Sequence, residues 1–424
     1  MNPQLRLVLL ALALLASLLG SSASTAPAAV VAQETSTPSS APVEAFSGER
    51  AKQTVEVLAT EIGPRPAGSE ALARATDYLR SAFEALGYET RGQEFPITAY
   101  VDGGASLRLV GAHTDVFTPA AVAYSASGEV EAEVVDAGLG RPEELAAAAG
   151  KLALIRRGEL RFAQKVANAA AAGAVGVILY NDGPGTIAAS LFAPGAIPAV
   201  MLSGEEGEAL RAALVTTPLT AHLAVQGTVE QRTGRNVVAH RAGASGRTVV
   251  VGAHYDSVPN GPGANDNGSG TAVLLETARV MAGRPYPHTL ELVAFDGEEL
   301  GLLVSRFYVE QLSPAERQAL VGMIDLDMLS VGETLQFAGS EALVAQALHL
   351  ADLHGWPASR LGGALAGGSD HASFLRVGIE AVFIYRSDDP RYHSPLDTAE
   401  HVLPENLTTA GTLALGLLDF LAGR

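Results

Sequence analysis

The chain has 424 residues, with 46 acidic against 28 basic side chains, a formal charge of −18 and no cysteine. So acidic a chain repels phosphate backbones, which argues against nucleic-acid binding, and the lack of cysteine excludes disulfides, thiolate metal sites and a cysteine nucleophile. With 48% apolar and 17% charged residues a large core is available, and the length suits about two or three domains.

Residues 1–26 read as a signal peptide. A short start carrying Arg6 leads into the apolar run Leu7–Leu19, and the small residues Ser21-Ser22-Ala23 and Ser24-Thr25-Ala26 offer cleavage sites. The run is shorter than the roughly 20 apolar residues of a membrane span, and no later segment reads as one. Residues 27–45, rich in Ala, Ser, Thr and Pro, read as a disordered linker. The mature protein is therefore expected to be secreted or extracytoplasmic.

Residues 46–101 open the folded part. Val55, Leu58, Ala59 and Ile62 recur at helical spacing over Phe46–Ile62, and Gly63-Pro64-Arg65-Pro66 stops that helix. Ser69 caps a second helix that ends at Gly87, and Tyr88–Ile97 reads as a strand. Over residues 102–228 the texture changes to short β-like runs, Leu107–Val110, Val130–Val135, Leu152–Ile155, Val175–Leu179 and Ala199–Leu202, with one Ala-rich helix over Phe162–Ala172. This block is expected to be an inserted β-rich domain. Over residues 229–424 strands and helices alternate: strands Val237–Ala239, Val249–Ala253, Leu290–Phe295, Met323–Met328 and Ala381–Tyr385, with helices Ser269–Met281, Leu300–Gln311, Glu341–Leu353 and Pro404–Leu421. That alternation predicts an α/β fold with a mostly parallel sheet.

Ligands of open α/β sheets bind beyond the C-terminal ends of the strands, and these ends carry the chemistry. Strand 249–253 runs into His254-Tyr255-Asp256, where Asp256 can fix the tautomer of a metal-bound His254. Gly261–Gly270 is a glycine-rich loop around Asp266. Phe295-Asp296-Gly297-Glu298-Glu299 ends the next strand with two carboxylates that can divide the work, one ligating and one taking a proton from water. Asp325 and Asp327 interrupt an apolar strand, where carboxylates are costly unless paired or metal-bound; both lie on one face, so spacing does not choose between them. Tyr392-His393 follows the last strand, offering a second imidazole and a phenol for an oxyanion. Taken together His254, Asp266, Glu299, one Asp of 325/327 and His393 follow five successive strands, a nitrogen and oxygen set suited to two Zn²⁺ ions sharing a carboxylate. The near-repeat Val110–Asp115, with His113, lacks the following loop and reads as a surface turn. Ser369-Asp370-His371 reads as a helix cap rather than a nucleophile. His222, His240, His288, His349, His354 and His401 have no carboxylate at ligand spacing and read as structural.

These motifs, namely His254-Tyr255-Asp256, Gly263–Gly270, Glu298-Glu299, Leu326-Asp327-Met328, Ser369-Asp370-His371 and Tyr392–Thr398, resemble the secreted dinuclear-zinc aminopeptidase family, which includes aminopeptidase Y, leucyl aminopeptidases and glutamate carboxypeptidase II relatives. The resemblance implies a mixed, mostly parallel sheet flanked by helices, of the phosphorylase/hydrolase-like kind. It implies two Zn²⁺ ions, one on His254 and Asp327, the other on Glu299 and His393, with Asp266 bridging. Asp256 would orient His254, Glu298 would be the general base, and Tyr392 would hold the oxyanion. Gly150–Gly158 with Phe162, Lys165, Ala169, Ala172-Gly173-Ala174 and Tyr180-Asn181 resembles a protease-associated domain, although Leu160 stands where that domain often has cysteine. Removal of N-terminal residues from peptide substrates is the expected activity. A carboxypeptidase or dipeptidase gripping a carboxylate with Arg386 or Arg391, a glutaminyl cyclase, and a non-catalytic binding protein are the alternatives. Oligomeric state is not readable.

Overall fold

A computed structural model describes residues 45–111, 116–363 and 368–424. The signal peptide, nearly all of the linker and the His113 turn lie outside the described residues.

Thirteen strands are found among the described residues. The first seven are β1 (Glu89–Val110), β2 (Ala120–Ala121), β3 (Gly128–Asp136), β4 (Leu152–Arg156), β5 (Gly176–Tyr180), β6 (Ala199–Leu202) and β7 (Thr220–Arg241). The rest are β8 (Thr248–His254), β9 (Thr289–Phe295), β10 (Leu320–Leu326), β11 (Leu335–Gly339), β12 (Ala358–Arg360) and β13 (Ala381–Arg386). They are hydrogen-bonded in the order β12-β11-β13-β10-β8-β9-β7-β3-β4-β5-β6-β2, with β1 on β7. β13, β10, β8 and β9 are mutually parallel, while β7 and β11 join them antiparallel. The expected mixed, mostly parallel sheet is thus present.

Both faces of the parallel part are covered, which is why its strands are continuous apolar runs rather than alternating ones. Val249, Val251, Leu292, Ile324 and Ile384 face the helices Gly48–Glu56, Glu70–Ala85, Gly270–Ala282, Glu341–His354 and Pro404–Ala422. Val250, Val293, Phe295 and Met323 face Leu303–Gln311 and His371–Arg376. Ser69 caps the second helix as expected, its Oγ accepting from the Leu72 N–H at 3.1 Å. No helix among the described residues is long and apolar enough to cross a membrane.

Several boundaries differ from the expected ones. The first helix is regular only to Glu56 and continues as wider turns over Val57–Ile62. Leu303–Gln311 starts late because Gly301 and Leu302 take left-handed φ of +94° and +59°. β10 ends at Leu326 rather than 328, with consequences for its two aspartates. β1 and β7 are each 22 residues long and paired almost throughout, with a bulge at Asp102–Ala105. The boundaries expected at 101/102 and 228/229 lie inside this ribbon, so hydrogen bonding is continuous between the inserted part and the rest. Within the insert β4, β5 and β6 are flanked by helices Phe162–Ala171 and Gly204–Leu214. The second of these escapes the sequence reading because its apolar face is thin; the capping box of Ser203 and Glu206 starts it.

Candidate metal centre

Four neighbouring strands, not five, deliver the expected residues. His254 ends β8, and Asp266 lies in the turn that follows the same strand. Glu298 and Glu299 follow β9, Asp327 stands just past β10, and His393 lies in the loop after β13. His254 Nε2 is 3.2 Å from Asp266 Oδ1 and 3.4 Å from Asp327 Oδ1. His393 Nε2 is 3.1 Å from Asp266 Oδ2 and 3.0 Å from Glu299 Oε2. Two triads result, His254–Asp266–Asp327 and Asp266–Glu299–His393, with Asp266 in both.

The donor set tests whether a metal fits. His254 Nε2, His393 Nε2, Asp327 Oδ1 and Glu299 Oε1 are buried, and none makes a hydrogen bond. Buried polar atoms are nearly always paired, so lone pairs left converging at these spacings suit cations held by imidazole nitrogen and carboxylate oxygen. Without such a cation the cluster sets burial against charge at every member. Burial raises Glu299 to about 7 against the pull of His393, and the Asp266 charge adds to the rise. Burial likewise lifts Glu298 well above the usual carboxylate range; His254 opposes this, while Glu299, Asp327 and Asp370 reinforce it. Burial would depress His393, but Glu299 and Asp266 outweigh it and hold the imidazole at about 10. Asp266 alone is held below the usual carboxylate range: burial is overcome by the pull of the two imidazoles that face its oxygens.

The surrounding residues explain the motifs. Asp256 stands 3.3 Å from His254 Nδ1 and accepts the backbone N–H groups of Glu298 and Glu299 at 3.2 and 3.3 Å. One carboxylate thereby orients the imidazole and fixes the turn carrying both glutamates. Asn267 Nδ2 donates to the Leu326 carbonyl at 2.8 Å, and its Oδ1 accepts from the Gly270 and Met328 N–H groups at 2.8 and 3.2 Å. The side chain next to Asp266 thus clamps the backbone on either side of Asp327. A β-carbon at Gly270 would collide with the Leu326 carbonyl, so glycine permits this approach.

The early end of β10 separates its aspartates. Asp325, still in the strand, accepts the His371 N–H at 2.8 Å and lies 3.1 Å from His371 Nδ1. Asp327, past the strand end, turns into the cage. Asp370 is not the expected cap: its backbone is helical, with φ −57°, and its side chain caps nothing. It is buried, and burial together with the Asp325 charge raises its carboxyl well above the usual range. Tyr392 is half-exposed, its ring stacked on His393 with centroids 3.7 Å apart. Of the histidines read as structural, His288 pairs with Ser245 Oγ at 2.7 Å and His222 with Glu129 at 2.5 Å, both away from the cage.

Sequence reasoning missed two supports. Asp397 accepts the backbone N–H groups of Asn265 and Asp266 at 2.8 and 3.1 Å, tying the Asp266 turn to the His393 loop. Its signal was a carboxylate four residues past His393. Arg65 is fully buried, and its guanidinium donates to the carbonyls of Tyr255 (2.6 Å), Pro262 and Gly263 (2.8 Å). A lone arginine in a Gly-Pro-rich stop gave no signal of this. Arg65→Ala strands three buried carbonyls and is expected to destabilise the protein by about 3 kcal/mol, read as a lower denaturant midpoint; an unchanged midpoint would refute the clamp.

A cleft of about 280 Å³ opens on Asp266, Glu298 and Asp327. Met328, Leu361, Phe383 and Tyr385 form its apolar lining, and Asp388 and Asp389 add negative charge. No lysine or arginine is among the described residues lining it. Arg386 points elsewhere, donating to the Gly332 and Glu333 carbonyls at 3.1 and 3.0 Å, and Arg391 Nη1 lies 3.6 Å from Asp389.

Known proteins resemble this chain in sequence and in fold. Residues 236–418 match the family described as peptidase family M28, and residues 120–210 match the PA domain. Aminopeptidase YwaD of Bacillus subtilis (strain 168) is 35% identical over 393 residues, covering 87% of this chain and 83% of that protein. Among solved structures, the aminopeptidase from Aneurinibacillus sp. strain AM-1 superposes with a TM-score of 0.78 at 32% identity, covering 90% of this chain and 95% of that one. The zinc aminopeptidase BSAP of Bacillus subtilis gives 0.75 at 32% identity, covering 88% and 94%.

Proposed function

Because the chain belongs to peptidase family M28 and carries an inserted PA domain, we propose that it is an exported aminopeptidase with two zinc ions, removing N-terminal residues from peptides. His254, Asp266 and Asp327 would hold one ion, and Asp266, Glu299 and His393 the other. Bound zinc supplies Lewis acidity and lowers the pKa of nearby water. Glu298, at the cleft wall beside the triads, takes the proton of the attacking water and returns it to the leaving amine. Asp256 keeps His254 and the Glu298 turn in register, and the Tyr392 phenol, which lines the cleft, would donate to the developing oxyanion. Export rests on the leader read in residues 1–26.

One observation carries the choice of exopeptidase: among the described residues the cleft lining is acidic and apolar, with no cationic side chain. Such a lining favours a substrate ammonium and repels a terminal carboxylate. A carboxypeptidase needs a free arginine or lysine there; Arg386 is spent on the Gly332 and Glu333 carbonyls, and Arg391, at the cleft edge, is paired with Asp389. A cyclase holding one zinc leaves the second triad unexplained, and a non-catalytic role leaves an intact ligand set without a use.

Two comparisons of turnover test this. Leucyl-p-nitroanilide should be hydrolysed and its N-acetyl derivative left intact; equal cleavage of both would reject the reading. The apolar lining further predicts that leucyl substrate is preferred over glutamyl by at least about 100-fold in kcat/KM, and parity would show that this cleft does not receive the first side chain.

A further inference from the structure

Phe192 belongs to the inserted domain but contributes to none of its cores. It is 58% exposed, and its backbone sits at φ +59°, a region unfavourable for a bulky side chain. The segment holding it there is pinned on both sides. The Ala123 N–H donates to the Ala189 carbonyl at 2.8 Å, the Leu191 N–H to the Ala123 carbonyl at 3.0 Å, and the Gly195 N–H to the Tyr124 carbonyl at 2.8 Å. Ala189 and Leu191 are buried in the insert, and the Phe192 N–H itself is held by Ser190 Oγ at 3.0 Å. The insert therefore fixes an aromatic ring outward at a position where glycine or asparagine would fit the backbone better.

The ring meets the peptidase turn. A β-carbon placed on Gly301 would lie 3.5 and 3.9 Å from Phe192 Cδ1 and Cε1. Gly301 closes the turn of Glu298, its N–H and that of Leu302 both bonding to the Glu298 carbonyl. Leu300, in the same turn, packs against the insert's core. On the aminopeptidase reading the first substrate residue takes the cleft lined by Met328, Leu361, Phe383 and Tyr385, to which Phe192 does not contribute. The segment that leaves must lie beside Glu298, which hands a proton to its amine. Building on the aminopeptidase reading, we propose that Phe192 is a specificity-determining residue: it supplies an apolar wall on the leaving-group side and favours peptides whose second residue is apolar.

The test compares Leu-Phe-amide with Leu-Gly-amide as substrates of the zinc-loaded, full-length protein and of Phe192→Gly and Phe192→Tyr. Glycine suits the backbone, so Phe192→Gly should keep its melting temperature and zinc content. Its kcat/KM on Leu-Phe-amide should fall by about tenfold, with Leu-Gly-amide changed less than about twofold; Phe192→Tyr should retain the wild-type ratio. Equal loss on both amides, or a ratio unmoved in Phe192→Gly, would overturn the assignment. Wild-type turnover of Leu-Gly-amide reports on the aminopeptidase reading separately, because that substrate does not call on the wall.

Discussion

Glu298→Gln is expected to lower kcat by about 10²–10⁴-fold while both zinc ions stay bound. The substitution keeps the shape of the side chain and the backbone N–H that Asp256 accepts. It also leaves Glu299, the neighbour placed in the second triad, untouched. What it removes is the ability to accept a proton from water and pass it on. KM for leucyl-p-nitroanilide should change little, since the amide still fills the cleft wall. Retained zinc with retained turnover would take the base role away from Glu298. A parallel loss of zinc would instead mean that it ligates.

Asp266→Ala is expected to weaken zinc binding at both positions by more than about 100-fold. Its two oxygens face different imidazoles, Oδ1 towards His254 and Oδ2 towards His393, so one deletion strips a ligand from each triad. Replacing a group that only supports a ligand already costs metal sites roughly 10–100-fold, and a shared ligand should cost more. The turn itself should survive, because Asp397 holds it through backbone N–H groups that alanine keeps. Asp266→Asn retains one oxygen without the charge and should fall between alanine and wild type. Zinc content measured after dialysis against a weak chelator checks both variants. If alanine emptied only one position, the carboxylate would not be shared.

Those expectations rest on residues that were largely visible in the chain. His254 closes an apolar strand and Asp266, Glu299 and His393 lie in the segments that follow such strands, and strand ends are where α/β sheets place their chemistry. The choice between Asp325 and Asp327 was not visible from spacing, because it depends on where β10 stops. That point is set from a distance, by Asn267 gripping Leu326 and Met328 and by His371 engaging Asp325. The supports of the cage were hidden for the same reason: Arg65 and Asp397 act on carbonyls and N–H groups about 190 and 130 residues away. The inserted block was legible as β-rich, yet the boundary expected at 101/102 falls beside a bulge, Asp102–Ala105, within a continuous strand. The helix Gly204–Leu214 has few buried apolar residues and announces itself by its cap alone.

The claim beneath all of this is that two imidazoles and three carboxylates form one cage for a pair of cations. Anomalous diffraction at the zinc edge from crystals of the zinc-loaded protein tests it most directly. Two peaks flanking the Asp266 carboxylate, one beside His254 and Asp327 and the other beside Glu299 and His393, are the predicted result. A single peak at saturating zinc, or peaks away from Asp266, would contradict it.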